Sequence, residues 1–581
     1  MSVQKYLTII CFNLTSLVAY AQSTYIPYNK DYYYMLDRYE ILTGEVSPNF
    51  HTSFKPYTRK DVSNFAENLI KDSTIQFSER DKFNLNYLAN DNYEFSLDTS
   101  RSNRKPFLKY FYKKQNAFFN HRSKDFEIIV NPVIYATGGK ELVNGQLNSS
   151  TMFLNTRGIE LRGMIAKRIG FYTLITDNQA LFPAYAMNEI NKVNMPGTGY
   201  NNYPSVPEEA FLTQVIGSQT KLYKYFLGNQ IGVDFSTARG YITFDIIKNI
   251  VNVQFGQDKN FIGNGYRSLL LSDNSSPYLF GKRTTKVWKL NYTLLYAKLT
   301  YDATQLGNSS YPQKFYAAHF LSMNLGKKLT VGLFEGIMST NGNNLDFFNP
   351  IIFYKSIENQ MGSPDKSIIG LDLKYNVAKQ LSLYGQLIIN EFVLNEVTSN
   401  KGWWGNKYGF QLGLKYVNVF NIKNLDLQLE TNVVRPYVYS AGDSSNSYTN
   451  YNTPLAHPLG ANFEEFLGIL RYQPINRLML QGKAFYILQG LDIPGGNDYG
   501  SNPLKSYNDR PSDYGNFLLQ GANTKTILLE FMASYMLKHN FFLEFMQLVR
   551  VEKSTYDPYN LNEFYTSIGF RWNIQPRLQE F

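Results

Sequence analysis

From about residue 125 onward, apolar and polar residues alternate with a period of two, in one long run after another. A period of two puts every second side chain on the same face of an extended strand. Over 525–537 one face carries Ile527, Leu529, Phe531, Ala533, Tyr535 and Leu537, and the other Thr526, Glu530 and Ser534. Leu425, Leu427, Leu429 and Val433 alternate with Asp426, Gln428, Glu430 and Asn432. Ile369, Leu371, Leu373 and Tyr375 alternate with Asp372, Lys374 and Asn376, and Phe564, Ile568, Phe570 and Trp572 with Ser567, Gly569 and Arg571. A soluble sandwich also alternates, but three features favour a membrane barrel. The polar face repeatedly carries charge, as a wet lumen does. The runs have the ~10–13 residues of a tilted bilayer crossing. Aromatic residues gather at the run ends, as in interfacial girdles. In lipid only a closed barrel leaves no sheet edge unpaired. The expected fold is all-β and transmembrane: an outer-membrane β-barrel of about eighteen antiparallel strands over 125–581.

Short turns are expected at 166–168, at Arg239 (between strands centred near 232 and 244), and at 326–328, 377–379, 420–423, 474–476 and 538–540. Long connections are expected near 177–227, 339–366, 394–406, 436–459 and 491–522. Short periplasmic turns should alternate with long external loops. Segment 259–284 breaks this parity, being long yet periplasmic by the count. Either it enters the lumen as a plug built on Gly263, Gly265, Arg267 and Asp273, or a nearby strand is miscounted.

Residues 22–124 read differently. Tyr33, Leu36, Tyr39 and Ile41 recur at helical spacing, Thr58 is a candidate cap for a helix with Val62, Phe65, Ala66 and Leu69 on one face, and Ser78 opens another. A small helical periplasmic domain is expected here. Residues 1–21 have an export signal's form: Lys5, a short apolar run, then Ala19-Tyr20-Ala21. The one cysteine, Cys11, lies inside it, so the mature chain has no disulfide framework. Aromatic residues make up 16% and charged residues 18% of the chain, the latter below the ~25% usual in soluble domains. The abundant aromatics exclude disorder, and after the signal no apolar run is long enough for a membrane helix. The net charge of +10 is read as solvated loops and contact with anionic outer-leaflet lipid, not nucleic acid, since no basic helix or finger motif is present.

Catalytic motifs are missing. The five histidines show no HExxH or paired spacing, so neither a zinc site nor any other metal or cofactor is expected. No GxSxG occurs. His457, between Pro454 and Gly460, is the best catalytic candidate, although its prolines favour a rigid turn in which it only hydrogen-bonds. The lumenal carboxylates Asp234, Asp245, Asp372, Glu430 and Glu544 are expected to pair with Lys374, Lys483, Arg550 and Arg571. The loops offer sugar-binding chemistry: aromatic faces stack on sugar C–H faces, and amides, carboxylates and guanidinium groups bond hydroxyls. Trp403, Trp404 and Tyr408 sit in one glycine-flanked segment, and Asp346, Asn349 and Glu358 surround another strand boundary. The competing reading puts the tryptophans in the aromatic girdle.

The segment 255–273, FGQDKNFIGNGYRSLLLSD, resembles the central signature of Wzi-type capsule assembly proteins. Phe348-Asn-Pro350, the Trp403–Tyr408 stretch and Arg435-Pro-Tyr437 are similar as well. The stretch 448–462, with Asn452, Pro454 and His457, resembles most closely the RemB-type gliding motility subgroup. The resemblance implies a non-enzymatic outer-membrane lectin that holds exported polysaccharide at the cell surface, for capsule assembly or adhesion, with capsule-export or gliding machinery as partners. A porin-like channel and an outer-membrane hydrolase are the alternatives. The first requires an open lumen, and the second requires His457 beside a nucleophile and a carboxylate.

Overall fold

The structure is a computed structural model that describes residues 23–28, 31–48, 50–96, 98–193, 233–301, 312–340, 366–577 and 580. The signal-like stretch 1–21 lies outside the described residues, as do Asp346, Asn349 and Glu358. Eighteen long antiparallel strands close into a barrel, the last, Leu561–Trp572, pairing with the first, Phe126–Val143, with Phe570 opposite Ala136. The alternation has the expected sense. Leu429, Phe531 and Ile568 are exposed on the outer wall, whereas Glu430, Glu530 and Ser567 are buried inside. Closure satisfies the backbone groups of every strand, and the outer wall is apolar, so the molecule is built to span an outer membrane. No helix among the described residues is long and apolar enough to do so.

The expected count of eighteen held through two errors that cancel. Val233–Ile247 is one continuous strand, so Arg239 is not a turn but a buried lumenal residue in its middle. Tyr278–Val287, placed in the plug by the sequence, is a strand paired with Val251–Asp258 and Leu290–Thr300. Its outward residues are partly Gly281 and Arg283, which weakens the apolar alternation. With this strand restored, parity holds throughout: turns at 248–250 and 288–289 join the short-turn rim, and 259–277 falls on the long-loop side.

Helices Tyr33–Thr43, Arg59–Lys71 and Glu79–Asp91 pack around Tyr32, Leu36, Tyr39, Phe65, Leu85 and Leu88. Thr58 caps the second by accepting from the Asp61 amide, and Ser78 and Asp81 form a reciprocal capping box on the third. The bundle docks into the barrel mouth at the short-turn rim. Its Asp31 bonds Arg571 at 2.7 Å, its Glu40 pairs with Lys374, and its Asp37 with Lys415. Arg38 reaches Asn418 at 2.9 Å and also pairs with Asp426, Asn84 exchanges hydrogen bonds with Gln473, and Asp91 accepts from Asn540 at 2.7 Å.

From the opposite side, 259–277 folds into the lumen. Phe261–Ile262 pairs with Phe54–Lys55 of the helical part, so the two insertions meet. Gly265 sits where a Cβ would come within 2.7 Å of Glu430 Oε2, so only glycine fits. Glu430 accepts from the backbone amides of Tyr266 (2.7 Å) and Arg267 (3.0 Å), and the Gly263 carbonyl accepts from Lys55 Nζ at 2.8 Å. Lumenal carboxylates thus hold inserted chain as well as neighbouring strands. A cavity of about 230 Å³ persists between helices and segment, lined in part by Tyr34, Tyr87, Phe261, Tyr266 and Phe542.

Candidate functional site

The long-loop face includes, among the described residues, 392–406, 435–462 and 492–521. Trp404 joins the first of these to the last. Its amide donates to the Asp513 carbonyl at 3.0 Å, and its ring meets Tyr507 at 4.8 Å and the edge of Tyr437 at 6.4 Å. Arg510 lies over the ring at 4.0 Å and Lys407 at 4.5 Å. A guanidinium and an ammonium are attracted to the negative face of an indole, the best aromatic partner for a cation. Both cations are also held by carboxylates: Arg510 bonds Asp513 at 2.6 Å, and Lys407 pairs with Glu391 at 3.0 Å.

Trp403 occupies a different environment. It lies on Gly405, where an added Cβ would come within 2.4 Å of the ring, it is tilted 57° from Trp404, and it is partly exposed. Exposed Tyr514 and Phe517 belong to the same loop face, and Tyr514 donates to Glu396 at 3.3 Å. Partly exposed rings among carboxylates, guanidinium and amide groups are the equipment for gripping a sugar. Tyr408 points outward with Phe410 and Leu412 at the long-loop end of strand Lys407–Tyr416, with Phe392 edge-on at 5.9 Å and Arg435 over its ring at 5.5 Å. It occupies a girdle position. The three aromatics named from the sequence are all half-buried but have three sets of neighbours: a loop joint, a ring lying on Gly405 and a girdle.

Behind this face Arg435 donates to the Asn406 carbonyl at 2.8 Å and the Asn516 carbonyl at 3.0 Å, tying three loops together. Asp498 is buried beside Asp492, and burial together with that neighbouring charge pushes its carboxyl up to about 7. Tyr507, Arg510 and Asp513 were not singled out from the sequence. They lie in a polar loop without periodicity, and only Arg435-Pro-Tyr437 pointed to this neighbourhood.

His457 is fully buried below the loops. Its Nε2 is 2.9 Å from Glu465, its Nδ1 accepts from the Leu459 amide at 3.3 Å, and its ring stacks on Phe463 at 4.3 Å. Burial lowers its pKa below the usual imidazole value. Glu465 is shared with Arg267 of the inserted segment at 3.2 Å, and Arg267 also donates to the Glu580 carbonyl at 2.5 Å. Asp273 accepts at its carbonyl from Lys259 at 2.8 Å. The geometry around His457 is that of a fastener between loop, strand and lumenal segment. Among the described residues no cluster of His, Cys, Asp and Glu has a metal-binding arrangement.

No family model and no curated protein matches the sequence. Solved structures do match. Wzi, an outer-membrane protein from Escherichia coli described as involved in group 1 capsule assembly and as a carbohydrate-binding β-barrel, aligns over 96% of this chain and 100% of its own. It does so with a TM-score of 0.53 at 12% identity. OccK7 (OpdD) and OprD of Pseudomonas aeruginosa align over 78% and 76% of this chain and 99% and 94% of their own. Their TM-scores are 0.40 and 0.39, at 9% and 11% identity. The fold of this chain is thus like that of Wzi from the inserted helices to the last strand.

Proposed function

We propose that this chain is a non-enzymatic outer-membrane barrel that binds exported surface polysaccharide, for capsule assembly and attachment or for adhesion, with gliding motility as one use of that adhesion. The observation that carries this reading is the external aromatic face around Trp403, set on loops locked together by Trp404, Arg435 and Arg510. A rigid, partly exposed ring loses little freedom on binding and presents its face to a sugar. The fold shared with a carbohydrate-binding barrel supports the same ligand class. The occupied lumen favours binding over transport, because helices enter from one rim and 259–277 from the other. Partners are the polysaccharide, outer-membrane lipid, and a capsule-export or gliding assembly. Residues 1–21 act as the signal for export and 22–124 face the periplasm.

The test is the double change Trp403→Ala and Trp404→Ala, read by polysaccharide retention and by heat-modifiable migration of the barrel. Each lost aromatic contact removes about 0.5–1.5 kcal/mol beyond its area, or roughly tenfold in affinity for the pair. Full retention by the double variant would remove the site from this face.

A further inference from the structure

We propose that the hairpin 103–118 is an interfacial anchor that binds anionic phospholipid headgroups beside the short-turn rim. Between residues 101 and 124 the sequence has eight Lys and Arg side chains and no Asp or Glu. No other acid-free run in the sequence holds as many positive side chains. The hairpin is held by paired backbone bonds, Phe107 to the Phe111 carbonyl at 2.7 Å and the reverse at 3.0 Å, with Arg104 donating to the Lys113 carbonyl at 3.2 Å. At its tip Phe107, Leu108 and Tyr110 are 60–65% exposed. Such a cluster of large apolar side chains on a loop tip has no packing role in the protein itself.

The turn chemistry points the same way. Leu108 and Lys109 both have positive φ, 47° and 62°. Bulky L-residues seldom adopt this left-handed conformation, so leucine and lysine stand there against local preference, as expected where another demand sets the residue.

The bilayer is identified as the occupant by position and charge. Strand Phe119–Arg122 follows the hairpin and pairs with Glu127–Val130 of the first barrel strand. It thereby continues the edge that Leu561–Trp572 leaves at Ile134. Tyr112 stacks on Trp572 at 6.3 Å, and Trp572 packs with Phe541, which meets Phe570, a lipid-facing ring. The apolar tip is therefore continuous with the outer wall at the membrane boundary. Arg104, Lys105, Lys109 and Lys113 surround it, and among the described residues none of them pairs with a carboxylate. Aromatic and aliphatic groups at the boundary with cations at headgroup level are the pattern of an interfacial anchor. Unpaired cations near the surface attract anionic lipid.

Amide hydrogen exchange of residues 104–113 in the full-length protein tests this, in nanodiscs of phosphatidylcholine with an increasing fraction of phosphatidylglycerol. The expected result is protection that grows with phosphatidylglycerol and is not produced by inorganic phosphate in detergent. The lipid titration midpoint should shift about fivefold for each of Lys105, Lys109 and Lys113 changed to Gln. These side chains are exposed, so the variants keep the fold, checked by heat-modifiable migration. Changing Phe107, Leu108 and Tyr110 together to Ser should remove protection in both lipids. Equal protection at every lipid composition, or protection by free phosphate alone, would overturn the proposal. So would protection that appears only on addition of periplasmic protein.

Discussion

Trp403 and Trp404 are neighbours in sequence but differ in what surrounds them. Trp404 is clasped by Arg510, Lys407 and Tyr507, and its loss should free the 492–521 loop. Trp404→Ala is expected to make the bond after Lys505 sensitive to trypsin on intact cells, whereas Trp403→Ala should leave it resistant and weaken glycan retention alone. Equal cleavage in both variants would deny the division of labour. At this scale the sequence was only partly informative. A glycine-flanked Trp-Trp pair announces aromatic surface, but of the two cations that clasp Trp404 only Lys407 is near in sequence, and Arg510 comes from a distant loop. His457 shows the same limit: its prolines signal a rigid turn, whereas its role is fixed by Glu465 on the following strand and by Arg267, which arrives on the inserted segment.

At the scale of elements, alternation made the outer wall readable, because lipid demands apolar residues on one face over the whole crossing. Leu429→Arg, in mid-strand on the outer wall, is expected to cost about 2–4 kcal/mol, while Trp288→Arg at the short-turn rim should cost about 0–1 kcal/mol. Unfolding of both in guanidinium from lipid vesicles measures the difference, and equal costs would mean that the assigned depths are wrong. Misreading came where the pattern weakens. Tyr278–Val287 carries Gly281 and Arg283 among its outward positions and follows a buried coil, so its strand character was hidden. Arg239, inside a long strand, imitates a turn. How deeply the helices dock was not legible, since their capping signals fix ends and faces but not partners.

Docking of that bundle should respond to acid. His51 bonds Ser322 at 3.0 Å, and burial, with the nearby Lys286 charge, lowers its pKa to about 4. Lys286 itself pairs with Asp61 at 3.3 Å. An undocked histidine takes up its proton near pH 6.5. The docked one resists until about pH 4. Docking stability is therefore complete above pH 6.5 and declines as pH falls toward 4. Protease access to residues 50–58, followed from pH 7 to 4, should rise in the wild type and rise less in His51→Gln. The same rise in both would assign the acid response to the buried carboxylates instead.

For the molecule as a whole, charges that line a wet lumen in the sequence are largely spent on the chain that fills it: Arg571 on Asp31, Lys374 on Glu40, Glu430 on Tyr266 and Arg267. Breaking a buried pair by removing one partner costs roughly 3–5 kcal/mol. The combined changes Asp31→Lys, Asp37→Lys and Glu40→Lys are expected to expel the helical bundle and raise single-channel conductance in planar bilayers above a closed wild type. A wild type that already conducts like an open porin would favour transport over retention. A barrel whose lumen is entered by chain from both rims, with a half-buried aromatic cluster on its loops, suits holding a ligand better than passing one. The most direct measurement is a polysaccharide array probed with the purified full-length protein. The account predicts retention of a defined set of surface polysaccharides that falls roughly tenfold when Trp403 and Trp404 are replaced. Retention no greater than that of an unrelated barrel would contradict it.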